Sequence, residues 1–206
     1  MIKPRRNTLN KYIDVSLRLR EQDHHFLNDL AKVGVISEDV ADRYHYDESK
    51  SGSRRRLDRL VEAGILSRRM LKSDGSQLAV YEFKDKKIAS LWRGDISHIG
   101  AKRTLKHELI VSKLYFDCGR PEDFRVASRF TQQDKKCMGH LDSVMPDGMF
   151  TDLNGERVFV EADSGQYTKS QIQQKTTAWR GVKQVWGQPL NSFHKMTMSS
   201  ATVFRY

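Results

Sequence analysis

Residues 145–175 read MPDGMFTDLNGERVFVEADSGQYTKSQIQQK, and three acids in this stretch stand where acids are costly. Asp147 lies between apolar residues in VMPDGMF, and Glu161 and Asp163 close the apolar run VFVEAD. Two residues apart on a strand, Glu161 and Asp163 project to the same face. Carboxylates beside a core are unfavourable unless they are paired, protonated or bound to a cation. Three converging carboxylates suit a hard divalent cation with oxygen ligands, Mg²⁺ or Mn²⁺.

The segments 140–153 and 156–163 read as the strands of a hairpin around the turn signal Asn154-Gly155. A long helix is predicted from Thr168 to Val185, opened by the capping-box pattern Thr168-x-x-Gln171. Its apolar stripe is Ile172, Trp179, Val182 and Trp186, and Lys175 fills the gap in that stripe. An inward lysine needs a counter-charge, and the acids ending the preceding strand can supply it. Taken singly, each piece has a plain structural reading: Pro-Asp-Gly is a common turn, acids at a strand end are often solvated, and a lysine stem can carry its charge to water. Together they match what phosphodiester chemistry requires, a cation held by acids and an ammonium over the scissile phosphate.

Outward from this stretch, residues 103–118 (RTLKHELIVSKLYFDC) read as a helix with Leu105, Leu109, Ile110, Leu114 and Cys118 on one side. Residues 124–130 (FRVASRF) read as a strand, 132–140 (QQDKKCMGH) as a polar loop, and the terminal 201–206 (ATVFRY) as a further strand. This order predicts a mixed α/β sheet sandwiched by helices over residues 101–206.

The first hundred residues have another pattern. Residues 1–16 read as a basic arm, followed by a domain over residues 17–94. One helix is predicted from Glu21 to Val33 and a short second one capped by Ser37. A third runs from Ser53 to Ala63, with Leu57, Leu60 and Val61 inward and Gly64 as its stop. After Gly64 the period changes: ILSRRMLK and LAVYEF flank the turn SDGS as a β hairpin. Three helices and a hairpin with a basic first strand form the pattern of a winged helix-turn-helix, whose third helix enters the major groove. The expected DNA-contacting residues are Lys50, Ser53, Arg54, Arg55, Arg56, Arg59, Arg68, Arg69 and Lys72. The three consecutive arginines cover too much of the helix circumference for all to face bases, so some would meet phosphate.

Charge supports that reading. The 206-residue chain carries 36 Lys and Arg against 26 Asp and Glu, a net charge of +10. Such a field favours anionic partners, nucleic acid first and an acidic membrane surface second. Between residues 49 and 72 there are eight basic residues and only Asp58 and Glu62 to offset them. No apolar run approaches the roughly 20 residues of a membrane span, and the opening MIKPRRNTLNKYID has no apolar core for a secretory signal. Two cysteines make no disulfide framework, so a cytoplasmic protein is expected. Cys118, Cys137 and His140 lack a fourth partner and the spacing of a zinc site.

Pro146-Asp147-Gly148, Glu161-x-Asp163 and Lys175 in the next helix resemble the PD-(D/E)XK nuclease fold. Over residues 20–206 the chain resembles the replication-relaxation proteins and the plasmid mobilization relaxases of the MobC type, which carry a winged helix ahead of a restriction-endonuclease-like domain. His107-Glu108-Leu109 also matches their pattern. The resemblance implies an α+β protein that nicks one strand at a plasmid transfer origin with Mg²⁺ or Mn²⁺. Asp147 and Glu161 would be metal-binding acids, Asp163 and Glu108 further ligands, Lys175 a catalytic cation and His107 a supporting group. One departure is plain: the usual motif has lysine two residues after the glutamate, and Asp163 stands there. The expected partners are double-stranded DNA carrying a specific site and an accessory mobilization protein, with no membrane. The rival expectations are a restriction or repair endonuclease, and a DNA-binding regulator with a decayed nuclease domain. No His-hydrophobic-His motif occurs, and among Tyr12, Tyr44, Tyr46, Tyr167 and Tyr206 nothing in the sequence selects a nucleophile over water.

Overall fold

The computed structural model describes residues 1–4, 17–46, 50–73, 76–92, 104–138, 144–190 and 201–206. It is a mixed α+β chain in two compact units, Met1–Leu105 and Lys106–Tyr206. The expected boundary between residues 94 and 100 lies outside the described residues, as do residues 5–16 of the expected basic arm. Residues 1–4 are not a free arm: the Ile2 amide donates to Asn28 Oδ1 at 2.8 Å, and Asn28 Nδ2 donates back to the Ile2 carbonyl at 2.9 Å.

The N-terminal unit runs α1 (Glu21–Val33), β1 (Ile36–Ser37), α2 (Glu38–Tyr44), α3 (Lys50–Glu62), β2 (Leu66–Ser73), β3 (Ser76–Phe83) and α4 (Lys86–Ser90). Its sheet has the order β1-β3-β2, antiparallel throughout. The helices form because apolar residues recur at helical spacing: Phe26, Leu27 and Leu30 of α1, Val40 and Ala41 of α2, and Leu57 and Leu60 of α3 are all buried. Ser37 stands at the start of α2, as expected, but its hydroxyl makes no cap bond. Asp85 does cap α4, accepting from the Ile88 amide at 2.9 Å.

The C-terminal unit runs α5 (Leu105–Asp117), β4 (Arg125–Val126), a 3₁₀ turn (Ala127–Arg129), α6 (Gln132–Met138), β5 (Gly148–Thr151), β6 (Arg157–Ala162), α7 (Lys169–Ala178), β7 (Lys183–Gln188) and β8 (Ala201–Arg205). The sheet order is β4-β5-β6-β7-β8; β4, β5 and β6 pair antiparallel, and β6, β7 and β8 pair parallel with α7 as the crossover between β6 and β7. One face carries Met149, Phe159 and Trp186, packed with Phe130, Met138 and Trp179. The other meets α5 so closely that a Cβ on Gly187 would lie 2.4 Å from Ile110 and 3.1 Å from Leu114. Only glycine lets the helix approach β7 that far.

Three sequence expectations change here. The long helix ends at Ala178, not Val185: Trp179 caps it, Gly181 turns the chain, and Trp186 belongs to β7. Both tryptophans enter one core cluster from different elements, which imitates a helical stripe. Residues 132–138 are a helix rather than a polar loop. Thr131 and Asp134 cap it reciprocally, with the Asp134 amide on Thr131 Oγ1 at 3.1 Å and the Thr131 amide on Asp134 Oδ2 at 2.8 Å. The strand expected over 124–130 shortens to Arg125–Val126, because the 3₁₀ turn that follows brings Phe130 into the core.

Candidate functional site

The register of β5 and β6 creates the site. Gly148 pairs with Val160 and Met149 with Phe159, so Asp147 enters β5 just before the pair whose partner precedes Glu161 on β6, and the two acids are close enough for the charge of one to act on the other. A side-chain bond closes the ladder at that point: Asp147 Oδ2 accepts from the Ala162 amide at 3.0 Å. The same oxygen lies 2.8 Å from Nε2 of His107, near the start of α5.

Glu161 is fully buried, and its two oxygens have different surroundings. Oε1 is held by Lys175 Nζ at 2.6 Å and by the Tyr167 hydroxyl. Oε2 is buried with no hydrogen-bond partner among the described residues. Burial, and then the charge of Asp147, push the Glu161 carboxyl up to about 8, against the pull of Lys175 and Tyr167. Burial and the neighbouring carboxylates also hold the Tyr167 hydroxyl far above its ordinary range, so it is a donor. Lys175 does face inward, as its place in the sequence predicts. Its ammonium touches Glu161, donates to the Met145 carbonyl at 3.3 Å, and lies 5.3 Å and 5.1 Å from the ring centres of Tyr167 and Trp179.

The expected third carboxylate is used elsewhere. Asp163 Oδ1 accepts from the amides of Gly165 at 2.8 Å and Tyr167 at 3.4 Å, and Oδ2 accepts from Gln188 at 3.4 Å. It is spent on the loop between β6 and α7, where Gly165 takes a left-handed φ of 89°. Glu108 is half-buried and about 100° around α5 from His107. Among the described residues no group of three or more His, Cys, Asp or Glu side chains could hold a metal ion. Of the three expected acids, the structure brings Asp147 and Glu161 together and turns the oxygens of Asp163 to the loop amides and Gln188. Tyr167, Met145 and Gln188 join the site without having been singled out. The turn chemistry of Asp163-Ser164-Gly165 was the available signal that the chain folds back there. The zinc reading gains nothing: burial pushes the Cys118 thiol up to about 12, and His140 and the Cys137 side chain lie outside the described residues.

In the N-terminal unit, α3 sorts its basic residues by helical phase. Ser53, Arg56, Leu57 and Leu60 form the inner stripe, all buried. Arg54, Arg55 and Arg59 point outward. Arg56 binds Asp23 through Nε at 2.9 Å and through a second bond from Nη2, which also donates to the Arg18 carbonyl at 2.9 Å. Asp23 further accepts from Tyr46 at 3.1 Å and from the Arg20 amide at 2.6 Å. Ser53 donates to Asp42 at 2.6 Å. Arg56 and Ser53 therefore leave the expected DNA-contacting set, because their polar groups are consumed in the interior. Arg54 lines a cleft with Glu38, Asp39 and Asp42. On β2, Arg68 pairs with Asp58 at 2.8 Å and Arg69 lies 3.8 Å from Glu82, while Lys72 is exposed. The side chain of Lys50 lies outside the described set.

The family model described as replication-relaxation matches residues 27–189, most of the chain. The chain belongs to the replication-relaxation family. The matched replication-relaxation stretch begins inside α1, takes in His107, Asp147, Glu161 and Lys175, and ends one residue after β7. No curated protein and no solved structure gives a significant match. Among the described residues no helix is long and apolar enough to cross a membrane.

Proposed function

We propose that this replication-relaxation protein is a metal-dependent DNA nickase, a relaxase acting at a plasmid transfer origin, with a winged helix-turn-helix as the site reader and a PD-(D/E)XK-like domain as the cutter. Family membership supports a role in replication and relaxation of DNA. The N-terminal order of three helices and a β hairpin, with Arg54, Arg55 and Arg59 exposed on α3, supports the reader. The C-terminal order of helix, three antiparallel strands, crossover helix and two parallel strands supports the nuclease fold.

One observation carries the catalytic half: a buried glutamate oxygen, Glu161 Oε2, has no hydrogen-bond partner among the described residues and belongs to an acid within reach of the charge of Asp147. An orphaned carboxylate oxygen beside a second acid fits a divalent cation, and Mg²⁺ commonly takes only one or two carboxylates, completing its shell with water and substrate phosphate. Asp147 and Glu161 would hold the ion, which when bound supplies Lewis-acid stabilisation of charge on the phosphate. Lys175, fixed by Glu161, the Met145 carbonyl and two aromatic rings, places a second positive charge at the same end of the sheet. His107 orients Asp147 through its ring nitrogen. Arg54, Arg55 and Arg59 meet phosphate and base edges, and Lys72 extends the positive surface along the hairpin.

The test is nicking of a supercoiled plasmid carrying a candidate transfer origin, with Mn²⁺ or Mg²⁺. Wild-type protein should yield open circles, while Glu161→Gln and Asp147→Asn should bind the duplex and leave it intact. Wild-type protein that binds the origin yet never nicks it with either ion overturns the proposal. The His107–Asp147 and Lys175–Glu161 contacts also suit the second reading, a DNA-binding regulator whose nuclease domain is closed by internal pairs. That outcome would leave it standing.

A further inference from the structure

Resting on the nickase reading, the geometry points to Tyr167 as a positioning residue that fixes which oxygen of Glu161 faces the ion and holds Lys175 in place. Its hydroxyl donates to Glu161 Oε1, the oxygen also held by Lys175, and Oε2 is the one with no partner among the described residues. Its ring lies 5.3 Å from the Lys175 ammonium, within cation–π range. One side chain thus orients the acid through its hydroxyl and the amine through its ring.

Tyr167 is itself placed by the loop that leads out of β6. Asp163 accepts from the Gly165 and Tyr167 amides and ties the loop to Gln188 on β7. Gly165 permits the left-handed turn that carries the chain back over Glu161. This explains why an acid stands where the resembled motif has a lysine: Asp163 builds the loop, and the amine arrives from α7 instead.

The two halves of the tyrosine can be separated. Tyr167→Phe keeps the ring and removes the hydroxyl; Tyr167→Leu removes both. Mn²⁺ binding to the full chain, followed by electron paramagnetic resonance, should weaken roughly 10–100-fold in Tyr167→Phe, the usual loss for a group that orients a metal ligand. At saturating Mn²⁺ that variant should recover its nicking rate, because Lys175 keeps both of its rings, whereas Tyr167→Leu leaves it Trp179 alone. Tyr167→Leu should lose Mn²⁺ affinity and also fail to recover the rate. A purely structural tyrosine would depress both quantities in both variants alike. Circular dichroism establishes that each variant folds, and if Tyr167→Leu does not, Tyr167→Phe alone decides. Wild-type Mn²⁺ affinity in Tyr167→Phe, alongside lost binding in Glu161→Gln, overturns the role of Tyr167 and leaves the nickase reading intact. Absence of Mn²⁺ binding in the wild type brings down both.

Discussion

Arg56→Ala separates a buried structural arginine from a DNA-reading one. Arg56 is 5% exposed and Asp23 is fully buried. Removing the guanidinium takes from Asp23 its ion-pair partner and leaves the donors Tyr46 and the Arg20 amide, and it removes the Nη2 bond to the Arg18 carbonyl. Breaking a buried pair from one side costs about 3–5 kcal/mol. For a unit of this size each kcal/mol is worth about 4–8 °C, so melting of the N-terminal unit should fall by about 12 °C or more. Hydrogen exchange resolved by peptide is the suitable assay, because it reads α1 and α3 separately from the C-terminal unit. The amides of both helices should lose protection together, since the pair joins them. Asp23→Asn combined with Arg56→Gln should cost less than the sum of the single changes, the mark of a shared network. The reasoning fails if Arg56→Ala leaves protection in α1 and α3 unchanged while the salt dependence of DNA binding flattens.

Arg54→Ala, Arg55→Ala and Arg59→Ala should each leave stability within about 0.5 kcal/mol, and each lost phosphate contact should lower the logarithmic salt slope of DNA binding by about 0.9; a fluorescence-anisotropy titration across salt concentrations checks both the slope and its additivity. Between pH 4.5 and about 8 the folded chain binds a proton at Glu161 that the unfolded chain has released, so without divalent ions this group makes stability fall as pH rises through that window and level off above it. In urea denaturation with chelator present, Glu161→Gln should remove that part of the pH dependence, and an unchanged profile would refute the assignment. Gly187→Ala should cost about 1–3 kcal/mol, because its Cβ would meet Ile110 at 2.4 Å; a neutral result in the same assay would show that α5 can withdraw from the sheet.

What the sequence disclosed follows from how local each cause is. The helix Glu21–Val33 and the hairpin β2–β3 were readable because propensity, period and turn signals agree within a few residues. Asp147, Glu161 and Lys175 were readable as a set because each breaks an apolar pattern. The true end of α7 was hidden because Trp179 and Trp186 fill one core from two different elements, which imitates a single face. Helix α6 was missed because only Met138 among its described side chains is buried and apolar, and its signal was the Thr131–Asp134 cap rather than a period. The separate uses of Asp163 and Glu161 depend on where the strand ends and the loop turns. Period-two counting gives their common face and is silent about the partners each finds.

The bond from the Ala162 amide to Asp147 has a consequence for the newly made chain. A slip of one residue between β5 and β6 would turn Glu161 to the opposite side of the sheet, where it could not meet Asp147. Whatever chemistry the two acids carry is thereby withheld until this hairpin has threaded correctly. Under the nickase proposal, an immature chain still finding its pairing meets a chromosome or a plasmid and leaves it whole.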